Sequence, residues 1–314
     1  MYVMSTVCEM LGIKYPVFQG AMARIATHKL AAAVSEAGGL GIIASGGMSA
    51  DQLRQEIDDL RAITDKPFGV NLMLQVDNCD ELVEVIIEKK VDLVTTGAGS
   101  PAKYIPSLKE AGIKVFPVIA SIKHAKKMEA AGADGVVAEG QEAGGHIGQT
   151  STMSLLPQIV DAVDIPVIGA GGIGDGRSVV AMYALGAQGI QVGTAFLTAE
   201  ECPIHENYKQ AVINANDTAT IVTGRSIKDP VRSLANEMLV KFYELEKENA
   251  PKEELMKLTE GSLGRAVYEG DMNTGSPMCG EVAGMFTEIR PCKEIIESLF
   301  NEAEAVLKDL KIIY

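Results

Sequence analysis

The sequence predicts an α/β protein: a (β/α)8 or TIM barrel with an inserted, mainly helical lid subdomain after its eighth strand. Three observations carry that expectation. Short Val/Ile-rich runs alternate with helical patterns at a spacing of roughly 20 to 30 residues, the size of a βα unit. The runs are continuously apolar rather than alternating, as parallel strands buried on both faces inside a ring of helices must be. Helix, Ala-Gly, strand phrases recur in Glu36-Ala37-Gly38-Gly39, Glu110-Ala111-Gly112-Ile113 and Ala130-Ala131-Gly132-Ala133, with Leu185-Gly186-Ala187 a close variant. Each places a glycine where a left-handed helix cap belongs.

Strands are expected at Val17–Gln19, Leu40–Ala44, Phe68–Asn71, Leu93–Thr95, Lys114–Val118, Gly135–Ala138, Pro166–Ala170 and Gly189–Val192. Helices fall between them near His28–Ala37, Ala50–Ile63, Glu81–Lys89, Tyr104–Ala111, Ile122–Ala131, Ser154–Ala162 and Arg177–Leu185. The alternation breaks after Thr194. Beyond it the pattern predicts an amphipathic helix over Val231–Glu248, a Lys/Glu-rich helix after Pro251 and a Gly/Met-rich stretch, Gly261–Gly284. A closing helix from Cys292 to Leu310 is expected to supply the barrel's eighth helix. The chain thus divides into a barrel, residues 1–198 with 291–314, and a lid, residues 199–290. The Glu244–Glu254 charge run reads as a solvated helix face.

Composition bounds the function. The 314 residues, 47% hydrophobic and 22% charged, suit one large soluble barrel with an appendage, and no segment approaches the roughly 18 apolar residues of a membrane span. Met1 to Gly12 lacks a basic segment followed by an apolar stretch, so a cytoplasmic protein is expected. A net charge of −14, with no basic run interleaved with aromatics, argues against nucleic acid. The five cysteines are scattered and form no C-x-x-C, which argues for reduced thiols over a disulfide framework or structural zinc.

In such a barrel the chemistry sits at the C-terminal ends of the strands. Those ends read Gln19-Gly20-Ala21-Met22, Ser45-Gly46-Gly47, Asn71, Thr95-Thr96-Gly97, Glu139-Gly140, Gly171-Gly172-Ile173-Gly174 and Gly193-Thr194, a rim suited to a large flat ligand on bare backbone. The segment Gly169–Gly174 matches G-x-G-x-x-G, but six βα units precede it and no acidic ribose partner follows, so a Rossmann unit is not expected. Its glycines can still present amides and a helix N-terminus to phosphate, and the loops after strands seven and eight commonly do so. Gly171, Gly172, Gly193 and Thr194 are therefore the expected phosphate cradle.

His146 is the expected catalytic residue. Glycines at 144, 145 and 148 leave no neighbouring side chains to bury it, on a loop at the reactive rim, where an imidazole can stabilise or protonate an oxyanion. His28, His124 and His205 read as capping or surface groups. A metal held by Glu139, Glu142 and His146 would need three converging ligands on a glycine-rich loop, and no metal is expected. Cys279 reads as a passive wall residue for want of a neighbouring base.

The runs Pro16–Met22, Gly69–Asn71, Thr95–Gly99, Glu139–Gly148, Ala170–Ile173, Gln191–Thr194 and Gly275–Gly284 resemble the FMN-dependent enoyl-acyl-carrier-protein reductases II, within the nitronate monooxygenase (2-nitropropane dioxygenase) group of flavin barrels. The likeness runs nearly end to end, lid included. It implies bound FMN, NADPH or NADH as co-substrate, a trans-2-enoyl thioester on acyl carrier protein or coenzyme A as substrate, and a homodimer. It also implies that Gly20, Ala21 and Met22 form the wall under the isoalloxazine, that Asn71 meets its polar edge and that Glu139 binds near the flavin. Met278 and Gly280 are then lid positions that approach the flavin, with Ser45, Gly46, Thr96 and Gly145 completing the cofactor-binding set. The same group's nitronate oxidisers are the alternative; they would use the histidine as a base, and more often carry glutamine where Glu139 stands. Arg225, Lys228, Arg232 and Lys241 are the expected basic patch for an acidic carrier protein.

Overall fold

The computed structural model describes residues 5–310, so positions 1–4 and 311–314 of the expected barrel, and the first residues of the segment read for a leader, lie outside it. The chain opens with α1 (Thr6–Leu11) and then β1 (Val17–Gln19), α2 (His28–Glu36), β2 (Gly41–Ala44), α3 (Ala50–Ile63), β3 (Phe68–Met73), α4 (Cys79–Lys89) and β4 (Leu93–Gly97). It continues through α5 (Ile105–Glu110), β5 (Lys114–Ile119), α6 (Ile122–Ala130) and β6 (Val136–Glu139). A short strand β7 (Gly145–His146) leaves the barrel, and α7 (Thr152–Val160), β8 (Val167–Ala170), α8 (Gly176–Ala184) and β9 (Gly189–Val192) resume it.

Eight parallel strands follow in the order β1-β9-β8-β6-β5-β4-β3-β2, and a Phe18–Leu40 bridge brings the two outer strands together. This is the TIM barrel the periodicity predicts. Its interior is filled by Phe18, Ile42, Leu93, Phe116, Val137 and Ile168, one inward residue from each of six strands. Phe18 and Phe116 meet edge to face with ring centroids 5.7 Å apart. Gly135 makes room for that ring: a Cβ there would lie 2.2 Å from Phe116. The floor is α1, unanticipated from the sequence, whose Val7, Cys8 and Leu11 join the interior cluster while the N-cap Ser5 donates to Gln188 O at 2.6 Å.

After α9 (Thr194–Leu197) the chain enters the insertion: α10 (Glu206–Ile213), β10 (Thr220–Thr223), β11 (Val231–Leu234), α11 (Glu237–Lys247), α12 (Lys252–Thr259) and the single turn α13 (Ser262–Gly264). Ala199 pairs with Arg290, so the two ends of the insertion lie side by side. The final helix α14 (Cys292–Asp309) packs between α8 and α2, as the eighth barrel helix should.

One expected element is corrected. The helix over Val231–Glu248 begins only at Glu237; Val231–Leu234 is a strand, antiparallel to β10 on one side and to β7 on the other. Residues 231–234, Val-Arg-Ser-Leu, carry no two-residue alternation; their pairing with β10 and β7 makes them a strand, and Asn236 then starts the helix by accepting from Leu239 N at 2.9 Å. The Glu244–Glu254 run is largely exposed, yet Glu246 is not spare charge: it accepts from Gly224 N and Ser226 N, both at 2.9 Å.

Candidate active site

Two cavities open at the C-terminal end of the barrel. The smaller, about 100 Å³, is phosphate-sized and is bounded by Gly20, Ala21, Met22, Glu139, Gly171, Gly172, Gly193 and Thr194, all expected site residues. The larger, about 840 Å³, lies between barrel and lid and is reached by Arg24, His146 and Met278. The same three chain segments therefore run from one cavity to the other: 20–24, 144–146 and 278–282.

The small cavity is an amide-lined cup. Gly171 and Gly172, in its wall, have φ of 89° and 80°, successive positive values that only glycine adopts without strain. The helix terminus that faces it belongs to α9, which starts at Gly193–Thr194 with no side-chain cap, after barrel strand eight. The α8 terminus after Gly171–Gly174 is closed instead by Asp175, which accepts from Arg177 N at 2.9 Å and Ser178 N at 3.1 Å. Its carboxyl, partly desolvated, is held below the ordinary range by those bonds and by Arg177. Glu142, unremarked as a site residue in the sequence except as a metal ligand, plays the same part for α7. It accepts from Thr152 N at 3.0 and 2.9 Å and from Thr152 Oγ1 at 2.8 Å. It does not converge with Glu139 and His146.

Glu139, at the end of β6, has its carboxyl pushed up to about 7 by desolvation alone. Along the other rim Ser45 Oγ donates to Asn71 O at 2.7 Å and Asn71 Nδ2 to Thr95 Oγ1 at 3.0 Å. The buried Thr96 hydroxyl has no partner among the described residues. Ser45, Gly46, Asn71 and Thr96 border neither cavity. Gly145 and Gly280 do not border them either, but Gly280 donates to Thr194 Oγ1 at 2.8 Å, and a Cβ on Gly145 would lie 3.7 Å from Met278 Sδ. The lid segment 278–280 is thereby fastened over the cup. An uncapped helix start and a pair of glycines at positive φ in the cup's wall fit a phosphate group.

His146 stands on β7, not on a free loop. It pairs with Val231 across the lid sheet, its side chain is 59% exposed at the cavity wall, and its Nε2 lies 3.2 Å from Asp229 Oδ1. The glycines around it serve close packing: a Cβ on Gly144 would lie 2.4 Å from the backbone of Cys279. Cys279 is buried, which pushes its thiol up to about 12. His28 and His205 stand at helix starts, His28 against Glu56 at 2.9 Å and His205 accepting from Asn207 N, while His124 is exposed in the first turn of α6.

The expected basic patch is corrected at one residue. Arg225, Lys228 and Lys241 are exposed, but Arg232 is buried; it donates to Gln141 O at 3.2 and 3.1 Å and meets Glu281 at 2.6 Å. It cannot dock a partner. It ties the lid strand to the loop that carries Glu142 and His146.

A parallel eight-stranded barrel whose last two strand ends border a small cup beside a lid-covered cavity places the chain among the TIM-barrel proteins. The chain belongs to the nitronate monooxygenase family, whose model matches residues 4–82 and 76–302. FabK from Thermotoga maritima superposes with a TM-score of 0.95 at 48% identity, covering 98% of both chains. A "probable nitronate monooxygenase" from Staphylococcus saprophyticus is 38% identical over 77% of this chain and 81% of its own length. A (3aS,4S,5R,7aS)-5-hydroxy-7a-methyl-1-oxo-octahydro-1H-indene-4-carboxyl-CoA dehydrogenase from Mycobacterium tuberculosis is 34% identical over 94% of each. Among the described residues no helix is long and apolar enough to cross a membrane.

Proposed function

We propose that this chain is an FMN-dependent reductase of trans-2-enoyl thioesters on acyl carrier protein, using NADH or NADPH. The observation that carries the proposal is the likeness to FabK over 98% of both chains, lid included, since the lid walls the cavity in which a substrate must lie. The Mycobacterium tuberculosis relative is named for a carboxyl-CoA, a thioester, which supports a substrate of that class. FMN would be held at its phosphate by Gly171, Gly172, Gly193 and Thr194 and would supply hydride for transfer to the β-carbon. Glu139, its carboxyl pushed up to about 7 by desolvation, is protonated in part near neutral pH and can then donate as well as accept a hydrogen bond at the cup's edge.

His146 supplies the proton chemistry. Reduction at the β-carbon puts negative charge on the thioester oxygen, and a donor at the wall of the cavity stabilises it and returns a proton to the α-carbon. Leu239, Phe242, Met256 and Leu263 give the same cavity an apolar side that suits an acyl chain. Exposed Arg225, Lys228 and Lys241 suit an acidic carrier. Exposed Val240, Tyr243 and Met256 on α11 and α12 support a homodimer through the lid, to be checked by sedimentation.

The family name and the Staphylococcus saprophyticus relative favour nitronate oxidation as the second reading. Anaerobic stopped-flow mixing separates the two. Bleaching of the flavin band by NADH or NADPH, with recovery on adding crotonyl thioester, is the expected result; no bleaching, with oxygen-dependent turnover of a nitronate, rejects the reductase. The His146→Ala variant is expected to retain FMN and lose about 10²- to 10⁴-fold in enoyl reduction. Full activity in that variant removes His146 from the chemistry.

A further inference from the structure

We propose that Arg24, in the turn after β1, anchors a phosphate group of the molecule that enters the large cavity, carried either by a nicotinamide dinucleotide or by the pantetheine arm of the thioester. The identity of those carriers rests on the reductase reading; the place of the anchor rests on the backbone at Arg24.

Arg24 has φ 64°, and among the described non-glycine residues with left-handed backbone it alone borders either cavity. Ile25 N donates to Met22 O at 3.0 Å, so Met22–Ile25 is a tight turn with Arg24 at its third position. A positive φ there ordinarily belongs to glycine or asparagine. The arginine is thus kept at a cost in backbone strain, which persists only where the surroundings fix the conformation. They do so here. Ile25 and Ala26 are buried, Ala26 N also donates to Met22 O at 2.9 Å, and Ala26 O accepts from Ala44 N at 2.9 Å.

The guanidinium is left for a ligand. Arg54, Arg61, Arg177, Arg232, Arg265 and Arg290 each donate to an oxygen of the chain, whereas Arg24, exposed at the cavity wall, has no such partner among the described residues. The other basic groups of that wall have acidic neighbours: Lys257 stands four residues after Glu253 on α12, and His146 lies 3.2 Å from Asp229. A guanidinium offers a planar fork of donors that matches phosphate oxygens. Its place separates this phosphate from the cofactor's, since Gly20, Ala21 and Met22 border the small cup and Arg24 the large cavity.

The test uses the FMN-loaded full chain with Arg24→Gln, Arg24→Lys and Arg24→Gly. By calorimetric titration Arg24→Gln should bind ADP-ribose, coenzyme A or both about 10-fold more weakly than wild type, with Arg24→Lys between them. The KM of the phosphate-bearing substrate should rise about 10-fold at unchanged kcat, as expected for binding used equally in ground and transition states. A rise for NADH assigns the dinucleotide, and a rise for crotonyl-CoA the pantetheine arm. Crotonyl N-acetylcysteamine, a thioester without phosphate, should keep its KM. Arg24→Gly, relieved of the left-handed backbone, should melt at or above wild type while binding as poorly as Arg24→Gln; a lower melting temperature removes the strain argument and the inference with it. Unchanged binding of both probes in Arg24→Gln, or none by the wild type, overturns the inference, as does an equal loss for the phosphate-free thioester. Loss of FMN from that variant also overturns it, because Arg24 then serves the cup. If NADH leaves the wild-type flavin unbleached while either probe still binds through Arg24, the reductase reading has failed and the anchor stands.

Discussion

Glu139 shows how much one side chain at this rim carries. Its carboxyl titrates near 7 in the fold against 4.5 ordinarily, because burial penalises its charge. The folded chain therefore binds more protons than the unfolded one between those values, and this group's contribution to stability falls as pH rises through that window. Thermal unfolding of the cofactor-free protein should show the Glu139→Gln variant losing less midpoint than wild type between acid and mildly alkaline pH; equal losses would show that Glu139 is not desolvated. At this scale the sequence was informative where strand-end glycines cluster, as at Gly171–Gly172, which border the small cavity; the glycines around His146 serve close packing and did not reveal its strand. It was silent on Asp229 and on the capping role of Glu142, since their partners come from chain segments that only the folded barrel brings near. Arg232 misled for the same reason: nothing local distinguishes an arginine that faces solvent from one buried under a loop.

Elements were legible when their period and their caps agreed. Helix α3 has the expected bounds, Ala50–Ile63, to the residue, and the structure shows a capping box of Ser49 and Gln52 at its start. The strand β11 was not, because Val231 and Leu234 stand at the i, i+3 spacing of a helix face and extend the amphipathic pattern back from α11 until their sheet partners, β10 and the two-residue β7, are known. That strand also anchors the site loop. Arg232→Met should cost about 2 kcal/mol by urea unfolding, the value of lost hydrogen bonds to a buried charge, and should weaken cofactor retention as the loop loses its hold on Gln141. Gly176 governs another contact: its Cβ would lie 2.3 Å from Ala303 N, so Gly176→Ala should push α14 off α8 and destabilise by roughly 1 to 3 kcal/mol. A melting temperature equal to wild type would deny that close approach.

For the whole molecule the ring of strands, its alternation with helices and the excursion after the eighth strand follow from periodicity, while the lid's three-stranded sheet and the helical floor α1, six residues without a repeating pattern, do not. The barrel depends on its distant end. A chain stopped at residue 290 lacks α14 and leaves the faces of α2 and α8 bare, so it should lose cooperative unfolding by calorimetry, whereas Phe116→Ala should keep it with a loss of about 3 to 5 kcal/mol. The bridge between Ala199 and Arg290 has a further bearing. Chain leaves and re-enters the ring one strand's width apart, about 5 Å, so this junction is a socket. A foreign module with equally close termini could be spliced there without cutting a single rung of the barrel's own ladder, provided that it supplies again the closure of Gly280 on Thr194 and the tie of Arg232 to Gln141.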